Sequence, residues 1–494
     1  MVNPRPEPET RAHHENPMQL SPIYRPDPRF ERLGAEFADP VTPASFPQRI
    51  LRRRNQAWAA RVGLDALTEA EWEASFARFA PLRDNQRQPL AMRYHGHQFR
   101  VYNPDIGDGR GFLYAQLRDD AGRLLDLATK GSGQTPYSRF GDGRLTLKGG
   151  VREVLAAEML EAQGVYTSKA FALYETGEQL TRGDEPSPTR SSVLTRLSHS
   201  HIRLGMFQRL AYIERPDLMR TLVAHVIENY APEAAEAEHA AAGVLAHAAR
   251  ETARLAASWM VAGFVHGVLN TDNITVTGES FDYGPWRFLP TSDPSFTAAY
   301  FDETGLYAFG RQPEAVSWAL AQFGGALTLI CPVDPLEKAL ALFAPAYQDA
   351  LRRHMLARLG LAETTPDEDL EFVAALFGWL TQSQVPWDQF FHDWFCADAS
   401  RAAQSPLAAL YNDAAFEPIR AGMLERGPVR AVRLRHAYFQ RPTPASLVIE
   451  EVEALWAAIA ERDDWSLFEA KLAEIALLRD ALGIDCHRSV AGTP

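Results

Sequence analysis

A change of pattern near residue 200 limits the possible folds more than any other feature of this sequence. Between about 90 and 200, Gly-rich turns separate short β-type runs at 111–117, 124–130, 170–174 and 193–198, and a helical pattern covers 151–163 before Gly164. Helical patterns then dominate from 205 to 265 and from 313 to 481. The sequence therefore predicts an α+β protein, with a small, mainly β lobe followed by a larger α-helical lobe.

The ends of the chain are predicted as extensions of these lobes. Residues 1–28, rich in proline and polar groups, predict a flexible tail or strap. Residues 29–90 predict an N-terminal extension with two helices, the second opened by a capping box at Thr68 and Glu71. The run Arg52 to Arg54 is expected on an exposed helix face, where solvation is more common than a partner role. The N-lobe is expected at 91–204, the C-lobe at 205–364, and a C-terminal helical extension without assigned function at 365–494.

Charge and cysteine content exclude several classes of protein. The net charge of -13 disfavours non-specific nucleic-acid binding, which needs clustered Lys and Arg. Cys331, Cys396 and Cys486 are too far apart to form a disulfide framework or a zinc site. The acidic N-terminus lacks an apolar signal region, and no window has the ~18 apolar residues of a membrane span. We therefore expect a cytoplasmic enzyme without nucleic-acid or membrane partners.

The stretch 266–276, closed by 282–284, carries a concentrated set of oxygen-bearing side chains. Residues 274–276 and 280–281 predict two short strands with Gly278 at the turn, so that Asn273 and Asp282 would flank a β-hairpin. Their side-chain oxygens could converge on one cation. Mg²⁺ takes few protein ligands and leaves its other positions to phosphate and water. This pattern predicts a metal–nucleotide site.

Further residues occur in the order that protein-kinase-like folds use. A Gly-rich turn at Gly107 and Gly109 is followed by Lys130, a helix with carboxylates, the Asp-Asn pair at 272–273 and Asp-Tyr-Gly at 282–284. Taken singly, the turn could be an ordinary hairpin and Lys130 a surface lysine. Taken in order, they predict a protein-kinase-like two-lobed fold that binds ATP.

Two assignments stay open on the residues alone. Glu153 and Glu158 lie about 140° apart on the predicted helix, so one of them can face Lys130, and the apolar stripe runs nearer Glu158. Arg196 and Arg203 could grip phosphate through guanidinium forks or form salt bridges between the lobes.

The neighbours of Asn273 suggest a division of labour. If Asn273 holds the cation, Asp272 is free to accept a proton from an incoming hydroxyl. A bound cation would give Asp272 a low pKa, which suffices when the transition state is loose. Gly-Asp-Gly-Arg occurs twice, at 107–110 and 141–144, and is interpreted as two phosphate-facing loops, although chance recurrence is an alternative.

Five strings of residues resemble the selenoprotein O family over roughly residues 90–315. They are 94–99 (YHGHQF), 130–144 (KGSGQTPYSRFGDGR), 200–205 (SHIRLG), 266–273 (HGVLNTDN) and 282–285 (DYGP). The resemblance implies a protein-kinase-like fold and protein adenylyltransferase activity, in which AMP moves from ATP to Ser, Thr or Tyr hydroxyls of proteins. It also implies a nucleotide flipped relative to kinases, so that the α-phosphate meets the nucleophile and pyrophosphate leaves.

The resemblance also assigns roles by position. Lys130 would contact phosphates and pair with Glu153, Asp272 would accept the proton, and Asn273 and Asp282 would hold Mg²⁺, with Mn²⁺ as a substitute. Self-modification is a further expectation. Asp282 would contact both the nucleotide and the metal. The resemblance also implies further ATP-binding positions, which are Gly107, Gly109, Arg110, Asp142, Gly143, Arg196 and Arg203.

The sequence also departs from the family's usual pattern. Arg100, Lys148 and the run 167–169 replace common family residues, and none of them is a named catalytic group. The family often has a Cys or selenocysteine two residues from its end, whereas Cys486 is followed by eight residues. Redox control through Cys486 is therefore not expected.

The same residues leave two alternative functions beside adenylyl transfer. The chain could be a kinase that transfers the γ-phosphoryl group to a protein or small molecule, or a catalytically inactive nucleotide-binding scaffold. The presence of Lys130, Asp272, Asn273 and Asp282 argues against the scaffold.

Overall fold

An antiparallel sheet with one helix against it forms the first lobe of the protein, as seen in a computed structural model that describes residues 18–183 and 185–484. The elements of this lobe, in chain order, are β1 (Ala38–Pro40), β2 (Ile50–Arg54), α1 (Gln56–Arg61), α2 (Glu69–Phe76), β3 (Leu90–Met92), β4 (Gly96–Gln98), β5 (Val101–Asn103), β6 (Leu113–Arg118), β7 (Leu124–Lys130), β8 (Leu145–Thr146), α3 (Leu147–Ala162), β9 (Lys169–Leu180) and β10 (Thr189–Ser198).

Both edges of the eight-stranded sheet come from the beginning of the chain. The strand order is β1-β3-β6-β7-β10-β9-β2, with β8 paired to β10, while β4 and β5 form a separate hairpin. The segment 29–90 was predicted as a helical extension and is instead mixed, because β1, β2 and β3 join the sheet. Local periodicity could not show this, since the partners of β2 lie about 120 residues further along the chain. The domain boundaries themselves stay a prediction.

The basic run Arg52 to Arg54 lies on strand β2, so its predicted helical placement is wrong. Arg52 pairs with Glu175 at 2.6 Å, and Arg53 pairs with Glu158 at 2.8 Å. Arg54 lies over the ring of Trp72 at 4.3 Å. The alternation of a strand directs these side chains to different faces, and each one finds a partner within the chain.

Helix α3 packs against the sheet and is connected to the C-terminal part of the chain at both ends. Its first turn is capped by the Thr146 hydroxyl, which accepts a hydrogen bond from the Gly149 N–H. Near this end Lys148 pairs with Glu453 at 2.7 Å, and towards the other end Glu158 pairs with Arg479 at 2.6 Å. The helix begins four residues before the predicted start at 151.

The second lobe is mainly helical, as predicted, and the α+β class is confirmed. A long apolar helix, α6 (Ala240–Ala262), lies at its centre, with 17 of its 23 residues buried. It ends at Gly263, whose φ of 67° allows the left-handed helix cap. The elements of the lobe are α4 (Leu204–Tyr212), α5 (Pro216–Asn229), α6 (Ala240–Ala262), β11 (Phe264–Val265), β12 (Arg287–Phe288), α7 (Gln312–Leu327), α8 (Val333–Leu340) and α9 (Phe343–Leu359).

The C-terminal part continues as helices around an aromatic core. Trp379, Phe390, Trp394 and Phe416 are buried there together. The last two helices return to the first lobe, where α15 (Ser466–Leu482) packs against α3. The elements are α10 (Pro366–Ser383), α11 (Trp387–Asp393), α12 (Ala399–Ala402), α13 (Glu417–Arg426), α14 (Ile449–Arg462) and α15 (Ser466–Leu482).

The β-hairpin predicted at 274–281 does not form. Thr275 makes an isolated bridge with Arg203, and Ser280 makes one with Thr167. The two short arms thus take their backbone partners from the first lobe and its boundary instead of from each other. Gly278 does lie in a turn, with a φ of 63°, and a side chain there would meet the backbone of Glu251.

The described part of the predicted tail lies along the sheet. Pro26 bridges to Leu117 of β6, and Asp27 pairs with Arg118 at 2.8 Å. Residues 1–17 and Cys486 lie outside the described residues, so the tail and redox predictions are not addressed for them. Within 18–183 and 185–484, no helix combines the length and apolar character needed to cross a membrane.

Candidate active site

A cleft of about 720 Å³ lies between the two lobes. Its walls come from the loops around β5–β7, from the segment before β8, from β10 and from the two Asp-containing segments of the second lobe. Ten of the twelve predicted site residues line this cleft: Gly107, Gly109, Arg110, Lys130, Asp142, Gly143, Arg196, Arg203, Asp272 and Asp282. Their roles towards ATP stay predictions.

Lys130, at the end of β7, is the central cation of the cleft. Its side chain is 5% exposed, and its ammonium group forms ion pairs with both Glu153 of α3 and Asp282. Glu158 points elsewhere, to Arg53 and Arg479. The structure therefore pairs Lys130 with Glu153, the partner that the resemblance implied and periodicity left open.

Asp282 is held in an unusual backbone conformation among positive charges. Its φ is 63°, which is uncommon for a residue with a side chain. Burial opposes its ionisation, yet the charges of Lys130, Arg196 and Arg110 hold the pKa of Asp282 well below its usual value. Arg196 lies 3.4 Å from it. This carboxylate is therefore anionic and available to a cation.

Arg203 crosses between the segments that line the cleft. Its guanidinium pairs with Asp108 at 3.2 Å and lies over the ring of Tyr94 at 4.5 Å. The Arg196–Asp282 pair joins the two lobes, whereas the Arg203–Asp108 pair lies within the predicted N-lobe, 91–204, and phosphate binding by either arginine stays a prediction. Each arginine has five N–H donors, so an ion pair of this kind leaves further donors for an anion.

Asp272 lies in a single 3-10 turn, Thr271–Asn273, that the β4–β5 hairpin braces. The His97 N–H donates to the Thr271 hydroxyl at 2.8 Å, and the Phe99 N–H donates to the Asn270 side-chain oxygen at 3.0 Å. A Cβ on Gly96 would lie 3.0 Å from the Thr271 hydroxyl and 3.2 Å from Asp272 Oδ1, so a side chain there would press on the loop. The hairpin thus fixes the loop that carries Asp272.

The carboxylate of Asp272 is only partly satisfied by the protein. Its Oδ1 is buried and has no hydrogen-bond partner among the described residues. Burial raises the pKa of Asp272 to about 6. The sequence predicts a low pKa for Asp272 beside a bound cation. In the protein chain alone, burial is the larger effect, and it raises this pKa. A buried oxygen without a partner is costly unless a ligand supplies a donor.

Asn273 does not line the cleft directly. Its side-chain amide donates to the Val268 carbonyl at 3.0 Å, which leaves its oxygen free to serve as a ligand. Among the described residues no group of three or more His, Cys, Asp or Glu could hold a metal ion. One carboxylate and one amide oxygen do fit Mg²⁺, which completes its octahedral shell with phosphate and water. Glu153 is the other predicted site residue that does not line the cleft, and it lies behind the cleft in an ion pair with Lys130.

His266 supports the segment that carries Asp272. Its backbone N–H donates to the Gln312 side chain at 3.0 Å, and its Nε2 lies 3.0 Å from the Phe281 carbonyl. Because Phe281 precedes Asp282, the imidazole connects the two Asp-containing segments. Burial lowers the pKa of His266, which favours the neutral ring.

The first Gly-Asp-Gly-Arg segment, 107–110, is packed against Tyr137. A Cβ on Gly107 would lie 2.5 Å from that ring, and one on Gly109 would lie 3.0 Å from its carbonyl oxygen. Asp108 accepts a hydrogen bond from the Met92 N–H at 3.0 Å in addition to its ion pair. Arg110 is exposed, and its charge acts on Asp282 without a direct ion pair among the described residues.

The second segment, 141–144, is held by ion pairs with β9 and the loop after it. Asp142 pairs with Arg182 at 2.8 Å, and Arg144 makes a two-pronged contact with Glu178 at 2.9 and 3.0 Å. Gly143 has a φ of 70°. The sequence predicts that this loop faces phosphate, but its arginine already has a carboxylate partner.

Sequence reasoning missed several residues that line the cleft. Arg182 carried no signal, because it lies in a Pro- and Gly-rich loop with no periodicity. Asp108 and Tyr137 lie inside two of the motifs, but the motifs predict roles only for neighbouring residues. Gln98 belongs to the 94–99 string and lies beside Asp272. Long-range contacts of this kind are visible only once the lobes are assembled.

Comparison with known proteins gives a consistent family assignment. A family described as "Protein adenylyltransferase SelO" matches residues 23–476. The "Protein nucleotidyltransferase YdiU" of Trichormus variabilis is 41% identical over 473 residues, covering 92% of this chain and 96% of that protein. The protein of the same description from Gloeobacter violaceus is 44% identical over 467 residues, covering 92% and 95%. Its counterpart from Pseudomonas putida strain KT2440 is 38% identical over 370 residues, covering 74% of each chain.

One solved structure resembles this chain weakly. It is described as ROP2 from Toxoplasma gondii, "a virulence factor with a protein-kinase fold and no enzymatic activity". The match has a TM-score of 0.24 at 10% identity and covers 69% of this chain and 83% of the other. The α+β class and the order of the lobes rest on the elements described above.

Proposed function

Because this chain belongs to the protein adenylyltransferase SelO family, it is a protein nucleotidyltransferase, and we propose that it transfers AMP from ATP to Ser, Thr or Tyr hydroxyls of proteins. The observation that carries the mechanism is Asp272 Oδ1, a buried oxygen with no hydrogen-bond partner among the described residues, at a cleft lined by seven cationic side chains. We assign four of these to the triphosphate, namely Arg110, Lys130, Arg196 and Arg203.

The four cations would bind the triphosphate. Lys130 is aimed by Glu153 and buried, so it presents a fixed point charge to phosphate oxygens. Arg110 has no direct carboxylate partner among the described residues and is free to form a two-pronged contact. The glycines of the first Gly-Asp-Gly-Arg segment let phosphate approach the backbone, and Asp142 and Gly143 would contact the nucleotide from the opposite wall.

Asp272 would accept the proton of the protein hydroxyl. With a pKa of about 6 it is mostly ionised at neutral pH, yet more basic than an exposed aspartate. The hydroxyl oxygen forms a bond to the α-phosphorus while the bond from that phosphorus to the α,β-bridging oxygen breaks. Pyrophosphate leaves, and the product is an AMP–protein ester. The choice of the α-phosphate follows from family membership.

Asn273 and Asp282 are the residues that would hold Mg²⁺, or Mn²⁺ in its place. Once bound, the cation would neutralise charge on the phosphates. The protein's own part is to keep both oxygens in position: Val268 orients the Asn273 amide, and Lys130 and Arg196 keep Asp282 anionic.

Separate labelling of the α and γ positions of ATP tests this proposal. The protein is incubated with either form, Mg²⁺ and a mixture of protein substrates, and the mass added to the protein itself is measured as a second readout. We expect label from the α position in protein, and an AMP mass on any self-modified residue. Label from the γ position alone would establish the kinase alternative, and no transfer from any nucleotide would establish the scaffold.

A matched pair of variants tests the role of Asp272. Asp272→Asn keeps the size of the side chain and removes its ability to accept a proton, so we expect a loss of transfer of roughly 10²-fold or more. Asp334→Asn, on an exposed face of α8, is the control and should keep full activity. Equal activity in both variants would show that Asp272 is not the proton acceptor.

A further inference from the structure

A second cavity, of about 490 Å³, lies outside the catalytic cleft on the side of the first lobe formed by the N-terminal segment. Residues 41–46 form one wall, and residues 77–79 and 87–89 form the other. Two backbone hydrogen bonds fix the first wall: the Val41 N–H donates to the Pro89 carbonyl at 3.0 Å, and the Ala44 N–H donates to the Ser132 carbonyl at 2.9 Å. The volume falls in the range typical of small-molecule sites.

The cavity carries an excess of positive charge. Arg49, Arg78 and Arg87 line it, and none of the described lining residues bears a carboxylate. Glu73 stands behind the wall and pairs with two of these arginines, Arg49 at 2.8 Å and Arg78 at 2.6 Å, through the same oxygen, Oε1. Arg87 is exposed and has no ion-pair or hydrogen-bond partner within the described ranges. The cavity therefore has three guanidinium groups, of which two share one carboxylate, and donors remain for an anion.

The remaining lining is mainly apolar. Pro43, Phe46 and Pro89 contribute carbon surface beside the arginines. Phe79 has a φ of 57°, a conformation that bulky residues rarely adopt, and its ring is held against Phe112 and Tyr114 at 5.3 and 5.8 Å. Strained backbone persists where surrounding packing enforces it, and it clusters at ligand sites.

We propose that this cavity binds a small organic anion, in which a phosphate or carboxylate group is attached to an apolar body. The anionic group contacts Arg87 and the unpaired donors of Arg78, and the apolar body rests between Pro43, Phe46 and Pro89. Because Ala44 is bonded to Ser132, two residues after Lys130, this site shares a wall with the segment that leads from the catalytic lysine.

The fluorescent probe 8-anilino-1-naphthalenesulfonate, which joins an aromatic body to an anionic group, tests the proposal directly. Binding to the full-length chain is measured with a non-hydrolysable ATP analogue and Mg²⁺ saturating the catalytic cleft. We expect one binding site for the probe. Arg87→Gln and Arg78→Gln should each bind the probe roughly tenfold more weakly, because each variant loses one charge-assisted contact. Competition by phenyl phosphate and by phenylacetate then shows which anionic group is preferred.

Two further variants separate the cavity from other basic surfaces. Thr42→Trp should fill its mouth and abolish binding while leaving every charge in place, since Thr42 is exposed on the wall. Arg250→Gln, an exposed arginine on a separate cavity of about 210 Å³, should bind the probe like the unmodified chain. Unfolding temperatures are recorded for each variant, so that probe binding to loosened protein is recognised. Absence of a saturable site, or equal affinity in Arg87→Gln, Thr42→Trp and Arg250→Gln, would overturn the proposal.

Discussion

The two Gly-Asp-Gly-Arg segments line the same cleft, yet they differ at three of their four positions. In the first copy Asp108 reaches Arg203, Gly109 has no left-handed backbone, and Arg110 is exposed. In the second copy Asp142 reaches Arg182, Gly143 is left-handed, and Arg144 is bound to Glu178. The first copy presents its arginine to the cleft, whereas the second is held by ion pairs.

Four identical residues thus acquire different structures because their partners lie elsewhere in the sequence. Arg203 is 95 positions from Asp108, and Arg182 is 40 positions from Asp142. Two pairs of substitutions at matching positions of the two copies, and one substitution in the second copy alone, test this contrast.

The largest difference is expected at the third position, between Gly143→Ala and Gly109→Ala. A left-handed conformation costs a residue with a Cβ roughly 1–2 kcal/mol, and a Cβ on Gly143 would also overlap the backbone of Gly133. We expect Gly143→Ala to lower the Tm by roughly 3 °C or more. Gly109→Ala should lower the Tm much less, because the backbone at Gly109 is unstrained, although a Cβ there would make a tight contact at 3.0 Å. Thermal unfolding followed by fluorescence measures both. Equal decreases would mean that the backbone difference does not matter.

A smaller difference is expected at the fourth position, between Arg110→Ala and Arg144→Ala. Arg110 is free to contact phosphate, so its removal should raise the KM for ATP roughly tenfold, the value of one charge-assisted hydrogen bond. Arg144 is engaged by Glu178, and its removal should raise the KM less than about threefold. Initial rates over a range of ATP concentrations give both values. A larger effect at Arg144 would reverse the assignment of the two loops.

The smallest effect is expected at the second position, where the stability that Asp142 contributes depends on pH. Burial opposes ionisation of Asp142, but Arg182 and the Arg144 N–H lower its pKa below the usual value. Asp142 therefore contributes stability above the unfolded pKa of about 3.9, and this contribution is lost as the pH falls through the lower folded pKa. The side chain is 46% exposed, so solvent weakens the effect.

The measurement compares the unmodified chain with Asp142→Asn. The unmodified chain should unfold at a Tm about 1 °C higher at pH 7, and the gap should close as the pH is lowered below about 3.9. A gap that widens in acid would contradict the ion pair with Arg182.

The sequence predicted the cleft better than it predicted the sheet. Unusual strings of residues contain Lys130, Asp272 and Asp282. The order of these strings along the chain matches protein-kinase-like folds, and it predicted that the three residues lie in one cleft. The edge strands β1 and β2 are short, and their partners lie far along the chain, so periodicity assigned Arg52 to a helix. The 274–281 hairpin failed for a related reason: two short arms found stronger partners in residues 166–168 and 202–204. Arg182 was missed because nothing local distinguishes it.

The attachment of α3 at both ends has a consequence for control of the enzyme. Outward rotation of this helix would separate Glu153 from Lys130 and so remove the ion pair that positions the lysine in the cleft. Such a movement requires breaking the Lys148–Glu453 and Glu158–Arg479 ion pairs and unpacking α15 from its back. The C-terminal helices thus hold α3 in the position that pairs Glu153 with Lys130, so α3 could move away from Lys130 only after these helices had detached from it.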